Sequence, residues 1–167
     1  MKNKILFFEA LATWRADHSG ILSSPETDDL IDVATPVAFS NGTEGKWSPE
    51  SLFLGAIRSS FMTTFLSFAK HKNLRFNDFS CDANGRVEFM HGAYSFTHID
   101  VYPWLTIPDE ETKQLGVEVM NSTIKSCLIS HSILAIIVYH TSIKVMKGES
   151  HMLPDIYHEH ISVSKPE

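Results

Sequence analysis

Two cysteines, Cys81 and Cys127, are the side chains best suited to nucleophilic or redox chemistry in this chain. Cys127 is predicted to follow one helix and precede another, and a helix N-terminus lowers the pKa of a thiol and favours the reactive thiolate. His131 lies four residues further on, within reach of the thiol if both residues are helical. The alternative is a buried cysteine that acts as a small apolar residue. We expect that role for Cys81, which has Phe79 and Ala83 beside it on one face of a predicted strand.

Three charged residues lie where they could support such chemistry. Glu50 follows Pro49 at a predicted helix start, where an acid also stabilises the helix dipole. Arg58 lies in an apolar helical stretch, so it must reach the surface or pair with an acid. Arg15 precedes a turn and either supplies a cation to a pocket or is exposed. Each residue therefore has a structural explanation beside the functional one.

The sequence contains no Gly-x-Ser-x-Gly motif, P-loop, Gly-x-Gly-x-x-Gly or His-Glu-x-x-His. In the C-terminal region, His151, His158, Glu159 and His160 are of types that bind metals, but metal sites need rigid ligand geometry. Residues 149–167 are predicted to form a loosely attached, His-rich tail. We therefore expect no metal and no cofactor.

Composition limits the class of protein. The chain has 167 residues and a mass of 18.8 kDa, which suits one domain, here predicted over residues 1–148. Its net charge of −6 disfavours binding to nucleic acid. Two cysteines cannot build a disulfide scaffold or a four-cysteine zinc site. No targeting signal or convincing membrane span is recognised, so we expect a cytoplasmic protein.

The predicted elements indicate an α+β fold with a mostly antiparallel sheet. Turn signals, alternation and helix-start residues predict, in order, strands at 5–14, 21–22 and 30–34, a helix at 49–71, strands at 74–90 and 94–105, a helix at 108–127, a short helix from Ser130 to Ile137 and a strand at 140–146. The helix at 49–71 is apolar around most of its circumference. One sheet covers one side, so we expect a second copy of the chain to cover the rest.

Finer features of the two long strands are also predicted. Asn84-Gly85 indicates a turn or bulge. Strict alternation places Tyr94, Phe96, His98 and Asp100 together on one face of the second strand. Pro103 indicates an edge position or the end of that strand.

Three stretches together resemble the OsmC/Ohr family of small stress-associated thiol peroxidases. Residues 48–56 (SPESLFLGA) are similar to the family's Asn-Pro-Glu-x-Leu start of a helix. Residues 56–62 (AIRSSFM) continue that helix where the family has a small residue, a cysteine and a hydrophobic residue. Residues 125–134 (KSCLISHSIL) are similar to its Cys-Pro-x-Ser-x-Ala-Leu stretch. The resemblance covers roughly residues 5–148.

The resemblance implies an OsmC-like fold in which antiparallel sheets wrap around long central helices in an intertwined homodimer, with active sites at the interface. It also implies chemistry in which a helix cysteine attacks a hydroperoxide, a second cysteine resolves the sulfenic acid and an external thiol reductant restores both. Ser60 matches the attacking cysteine, and a serine cannot pass through a sulfenic acid. Cys127 matches the resolving cysteine, with Leu128 in place of the usual proline. Cys81 is left off the site.

The resemblance further implies that Glu50 and an N-terminal arginine orient the site. Arg15 is the best match for that arginine, although the loop could equally align His18 there. The candidate catalytic residues are therefore Cys127, Ser60, Glu50 and Arg15. The candidate ligand-binding residues are Phe61, Phe53, Arg58 and His131.

Three functions remain open. The first is a non-peroxidatic OsmC-like homologue that keeps an interface pocket for a small apolar or oxidised ligand. The second is a one-cysteine peroxidase that uses Cys127, activated by its helix terminus or His131 and resolved by an external thiol. The third is a purely structural or interaction dimer.

Overall fold

The computed structural model describes residues 5–146, and it confirms the α+β class. The predicted His-rich tail, with its candidate metal ligands, lies outside the described residues. The elements are β1 (Leu11–Ala16), β2 (Ser19–Ser24), β3 (Thr27–Ala34), α1 (Pro49–His71), β4 (Asp78–Met90), β5 (Ala93–Ile107), a 3-10 turn (Glu110–Thr112), α2 (Lys113–Ser126), α3 (Leu128–His131), β6 (Ile136–Tyr139) and β7 (Ser142–Val145).

Strands β1 to β3 form an antiparallel sheet that is largely exposed. Leu11, Trp14 and Leu30 are 62%, 74% and 61% exposed. The predicted strand over residues 5–14 begins only at Leu11. Leu11 pairs with Ser23, and β2 ends one residue later at Ser24, so β2 has no residues left to pair with residues 5–9. This sheet thus presents much uncovered apolar surface.

The long helix α1 has the predicted bounds, residues 49–71. Ser48 caps it, since its Oγ accepts a hydrogen bond from the Ser51 amide at 3.1 Å. Pro49 occupies the first helical position, where its missing amide hydrogen costs nothing. The chain leaves the helix through Asn73, whose φ of 53° is left-handed.

The second sheet contains β4, β5, β6 and β7. β4 and β5 pair antiparallel over most of their length, whereas β6 and β7 both pair parallel with β5. The expected antiparallel pairing is therefore found in the sheet of β1 to β3 and between β4 and β5, whereas β6 and β7 make the second sheet mixed. A parallel pair requires a crossover connection, and α2 with α3 supplies it between β5 and β6.

Pro103 does not lie at an edge or at the end of its strand. It pairs with Cys81 in the middle of β5 and is fully buried. On the other side of β5, pairing with β6 ends at Val101 and pairing with β7 begins at Trp104. Pro103 is tolerated because it stands in this gap, where no ladder hydrogen bond to β6 or β7 is required of it.

The bulge in the β4–β5 hairpin is displaced from its predicted position. Residues 84–85 pair regularly, and the extra residue is Thr97 on β5. Because one residue is added, Phe96 turns toward the core that contains Ile99. The predicted face shared by Phe96 and His98 is therefore wrong.

The short helix predicted from Ser130 to Ile137 is also wrong. α3 begins at Leu128, so Ser130 lies inside it and does not cap it. Ile136 and Ile137 belong to β6. The apolar run resembled a helix, but pairing with the central strand β5 fixes its second half as extended chain.

The core lies between α1, α2 and the second sheet. The side of α1 that faces this sheet carries four buried residues at helical spacing, Ile57, Phe61, Phe65 and Ala69. The opposite side remains uncovered, with Met62 and Leu66 40% and 43% exposed. By length and composition α1 would also pass as a membrane span, but a core helix has the same properties.

Substitution of Gly85 by Ala is expected to destabilise this core. A Cβ on Gly85 would lie 2.5 Å from the Phe96 ring and 3.1 Å from a Leu54 methyl group. We expect the free energy of unfolding to fall by about 1–3 kcal/mol, the usual cost of overpacking. Gly55→Ala is the control, because its Cβ meets only Trp47 at 3.7 Å and alanine raises helix propensity by about 1 kcal/mol. Urea denaturation of both variants checks the prediction, and equal stability of G85A and wild type would contradict it.

Candidate functional site

Cys127 lies at the junction of α2 and α3, in extended backbone geometry. Its side chain is inside the core, and the residue is 0% exposed. The predicted location between two helices is therefore observed. The surrounding residues belong to one core cluster that includes Phe61 and Phe65 of α1.

Two hydroxyl groups contact the sulfur of Cys127. Its thiol donates to Ser60 Oγ at 3.3 Å, and Ser130 Oγ donates to the sulfur at 3.1 Å. Tyr139 Oη in turn donates to Ser130 Oγ at 2.7 Å. These bonds form one directional chain from Tyr139 through Ser130 and Cys127 to Ser60, which satisfies a buried thiol on both sides.

Tyr139 anchors this chain because its ring and its hydroxyl group are both fixed. The ring centroid lies 5.4 Å from that of Phe61. Burial raises the pKa of Tyr139, so the phenol is a neutral donor at neutral pH. Its hydrogen bond orients the Ser130 hydroxyl toward the sulfur of Cys127.

Ser60 and Cys127 are the two predicted site residues that the fold brings into contact. They are 67 residues apart in sequence, and α1 and the α2–α3 junction position them. His131 is directed elsewhere, because its imidazole Nε2 lies 2.8 Å from the carbonyl oxygen of Lys125. The structure thus places hydroxyl groups, and not the imidazole, beside the thiol.

Cys81 lies nearer to this region than the sequence indicated. It faces the core from β4 and packs against the cluster that contains Cys127. Burial, opposed by the guanidinium of Arg58, raises the pKa of the Cys81 thiol to about 12. Arg58 itself lies 4.0 Å from Asp82 and is half-exposed, so it both reaches the surface and pairs with an acid.

Glu50 lines a different part of the molecule. A cavity of about 360 Å³ beside the start of α1 is lined by Glu50, His18 of the β1–β2 turn, Val33 and Phe39. The carboxylate oxygen Oε2 of Glu50 is buried and has no hydrogen-bond partner among residues 5–146. Ten residues of helix separate Glu50 from Ser60 by about 15 Å, so one chain holds two separate groups of candidate residues.

Arg15 and the two predicted ligand-binding phenylalanines occupy other places. Arg15 is exposed on β1 and is not among the residues that line the cavity, whereas His18 is. Phe61 is 0% exposed, and the ring centroid of Phe53 lies 4.8 Å from that of Phe96. Within one chain, both phenylalanines are therefore core residues.

Sequence reasoning missed Tyr139 and the contact that Ser130 makes. Ser130 carries a weak signal, since residues three apart on a helix are neighbours and Cys127 immediately precedes α3. Tyr139 carries none, because its contact depends on where β6 pairs with β5. Across residues 5–146, no group of three or more His, Cys, Asp or Glu residues is arranged to hold a metal ion.

Comparison with known families gives one match. A family model described as OsmC-like protein matches residues 42–141. This stretch contains α1, Ser60, Cys127 and Tyr139. No curated protein sequence matches the chain.

Several solved structures share the fold. An OsmC-like protein of unknown function from Vibrio cholerae has 17% identity and a TM-score of 0.68, over 85% of this chain and all of that one. An organic hydroperoxide resistance protein from Elizabethkingia anophelis has 15% identity and a TM-score of 0.67, over 87% of this chain and all of that one. The organic hydroperoxide resistance protein OhrB of Bacillus subtilis has 19% identity and a TM-score of 0.59, over 83% of this chain and 98% of that one.

Proposed function

This chain belongs to the OsmC-like protein family, and from that membership we propose that it is a non-peroxidatic member that binds a small apolar ligand. The observation that carries the proposal is the contact between Cys127 Sγ and Ser60 Oγ at 3.3 Å. A thiol at position 60 would stand within reach of Cys127 for a disulfide. A hydroxyl at that position is not ionised near pH 7 and cannot form a sulfenic acid.

The alternative of a one-cysteine peroxidase has weaker support. Cys127 has two hydroxyl neighbours, and Ser130 would stabilise a thiolate by donating to it. However, the residue has no exposed surface, and the predicted activating imidazole of His131 bonds to Lys125 instead. Peroxide therefore lacks a direct path to this sulfur within one chain.

Substitution of Ser60 by Cys tests the loss of peroxidase chemistry. We expect wild-type protein to consume cumene hydroperoxide with dithiothreitol at close to the background rate. S60C is expected to raise the rate at least tenfold, because it restores a thiol pair that can pass through a sulfenic acid and a disulfide. Peroxide loss is followed by a colorimetric assay.

Ser59→Cys is the matched control, because Ser59 is exposed on the same helix turn and its hydroxyl group donates to the Ala56 carbonyl and not to Cys127. S60C combined with C127A should lose the disulfide-dependent turnover. Fast consumption by wild type that is abolished by Cys127→Ala would contradict the proposal and support the one-cysteine enzyme.

The cavity beside Glu50 is the proposed ligand site. Val33, Phe39 and Pro49 give it apolar walls, and His18 and Glu50 provide polar groups. The unpartnered Glu50 oxygen favours a ligand, or a neighbouring chain, that brings a hydrogen-bond donor. Apolar walls with few polar groups are typical of small-molecule sites.

A neutral fluorescent probe, N-phenyl-1-naphthylamine, tests this site. We expect its fluorescence to rise on binding, and Val33→Asp to weaken the binding at least tenfold by placing a charge in the cavity. Val37→Asp is the control, because Val37 is 63% exposed and does not line the cavity. Absence of binding by wild type, or equal loss in both variants, would leave the structural or interaction dimer as the better explanation.

We further propose that the functional unit is a homodimer with intertwined chains. α1 presents Met62 and Leu66 to solvent in the single chain, and the sheet of β1 to β3 exposes Leu11, Trp14 and Leu30. In addition, β4 is an edge strand of the second sheet within residues 5–146. Monomeric proteins rarely leave such apolar surfaces and edges uncovered, and a second copy would cover them together.

Light scattering with size-exclusion chromatography checks the homodimer. We expect wild type to have twice the 18.8 kDa chain mass, and Leu66→Lys to shift the protein toward the single-chain mass by placing a charge in the interface. Trp104→Lys is the control, because Trp104 is 51% exposed and, by alternation with buried Leu105, lies on the sheet face opposite α1. A wild-type mass equal to one chain refutes the proposal.

A further inference from the structure

The cavity at the start of α1 contains a carboxylate whose hydrogen bonding is incomplete. The oxygen Oε2 of Glu50 is buried and has no partner among residues 5–146. An unpaired oxygen of this kind costs free energy, because it has lost its water without gaining a donor. The terminal torsion of a glutamate has a broad range, so either oxygen can turn toward the cavity that the residue lines.

No lysine or arginine compensates this carboxylate within the described chain. Among residues 5–146, the titratable side chains that line the cavity are Glu50 and His18, and His18 makes no hydrogen bond to the buried oxygen. Lys46, which lies near the start of α1, is 4.0 Å from Asp32. The donor that Glu50 lacks must therefore come from a bound molecule or from a second chain.

Backbone hydrogen bonds hold the walls of the cavity in place. The Thr35 amide donates to the His18 carbonyl at 3.1 Å, and the Ala34 amide donates to the Trp47 carbonyl at 2.9 Å. The Thr43 amide closes the loop after β3 by donating to the Thr35 carbonyl at 3.0 Å. These bonds connect the β1–β2 turn, the end of β3 and the entry to α1. The cavity is thus formed before a ligand arrives, as is usual for small-molecule sites.

An aromatic ring lies in the same wall. Phe39 lines the cavity, and its ring packs at an angle of 75° against Tyr94 of the β4–β5 hairpin, with centroids 5.6 Å apart. The amide of Phe39 donates to the Pro36 carbonyl at 3.0 Å. An aromatic face attracts a cation within about 6 Å of its centre. A carboxylate and an aromatic ring in one cavity therefore both favour a positively charged ligand.

We infer that this cavity binds a small primary amine with an apolar body, in its ammonium form. The inference rests on the proposed function, because it names the chemical class of ligand for the cavity proposed there. The ammonium group donates to Glu50, and the apolar body packs against Val33 and Phe39. The cavity volume of about 360 Å³ is near the lower end of the range for small-molecule sites, about 300–1,000 Å³, which suits a short chain or a single ring.

The chemistry of the cavity ranks possible ligands by their head groups. A hydrogen bond between ammonium and carboxylate is charge-assisted and about twice as strong as one between neutral groups. An ammonium group also has further hydrogens, and a neutral imidazole such as that of His18 can accept one. An alcohol offers Glu50 a single neutral donor, whereas a carboxylate ligand is repelled by it. The expected order of affinity is therefore amine, alcohol and carboxylate.

A series of eight-carbon ligands tests this order on wild-type protein. Octylamine, 1-octanol and octanoate, below the concentrations at which they form micelles, compete with N-phenyl-1-naphthylamine at pH 7. Isothermal titration calorimetry repeats the measurement without the probe. We expect octylamine to bind about tenfold or more tighter than octanol, the usual effect of a hydrogen bond to a charged group, and octanoate to bind most weakly.

Octyltrimethylammonium separates a hydrogen bond from simple attraction between charges. It keeps the positive charge but has no N–H group, so we expect it to lose most of the advantage of octylamine. General attraction of cations to a chain of net charge −6 would instead leave the two ligands equal, and that result would overturn the inference. This comparison uses wild type alone and does not depend on the folding of a variant.

Substitution of Glu50 by Gln tests the assigned carboxylate. We expect E50Q to weaken octylamine binding about tenfold or more and to leave octanol binding within about twofold, since octanol reports that the cavity is still folded. Glu44→Gln is the matched control, because it removes the same charge from an exposed residue that does not line the cavity. Equal loss of octylamine binding in both variants would contradict the role of Glu50.

Failure of the inference and failure of the proposed function give different results. Equal binding of octylamine and octanol by wild type would keep the ligand site and overturn the amine assignment. Tightest binding of octanoate would also overturn it, because a positive side chain of a second copy would then lie beside Glu50. If neither the probe nor any of the eight-carbon ligands binds, the proposed function fails and the inference fails with it.

Discussion

Burial of α1 against the second sheet is the constraint on which the rest of the structure depends. Four apolar residues, Ile57, Phe61, Phe65 and Ala69, repeat every four positions and face the sheet. Their burial holds both core clusters together, since Ile57 belongs to one and the other three to the second. Moving any one of them would displace the residues beside it on the helix, including Ser60.

The chemistry of the candidate site follows from that packing. The ring of Phe61 packs against that of Tyr139. This packing places the adjacent Ser60 at the α2–α3 junction, where its hydroxyl group contacts Cys127. The junction supplies Cys127, and β6 supplies the phenol that orients Ser130. A buried sulfur with a hydrogen-bond donor on one side and an acceptor on the other is stable as a neutral thiol, because none of its hydrogen-bonding capacity is left unpaired. The arrangement therefore stabilises the protein whether or not it reacts.

The sequence predicts well what depends on local chemistry. Ser48, Pro49 and the apolar period predicted both ends of α1, and turn residues placed β2 and β3 to within a few positions, although β1 begins six residues later than predicted. Prediction from the sequence fails where the conformation of a segment depends on pairing with strands that are far away in the chain. Pro103 is tolerated in a central strand only because β5 changes partners beside it. The displaced bulge at Thr97 and the extended conformation of residues 136–139 likewise depend on strands far away in sequence. Ser60 and Cys127 were paired through family resemblance, and neither residue carries a local signal for the other.

Two groups of candidate residues at different positions along one helix also limit what a single chain can do. Glu50 and His18 lie by the cavity at the start of α1, whereas the thiol and its hydroxyl neighbours lie about 15 Å further along. A reaction that needs the carboxylate and the sulfur together would require a second chain placed antiparallel to the first helix. The exposed side of α1 is suited to such a neighbour, because Met62 and Leu66 follow Ser59 at helical spacing. In this way the apolar circumference of α1 links the fold of one chain to the proposed association with a second copy and to the composition that the site would then have.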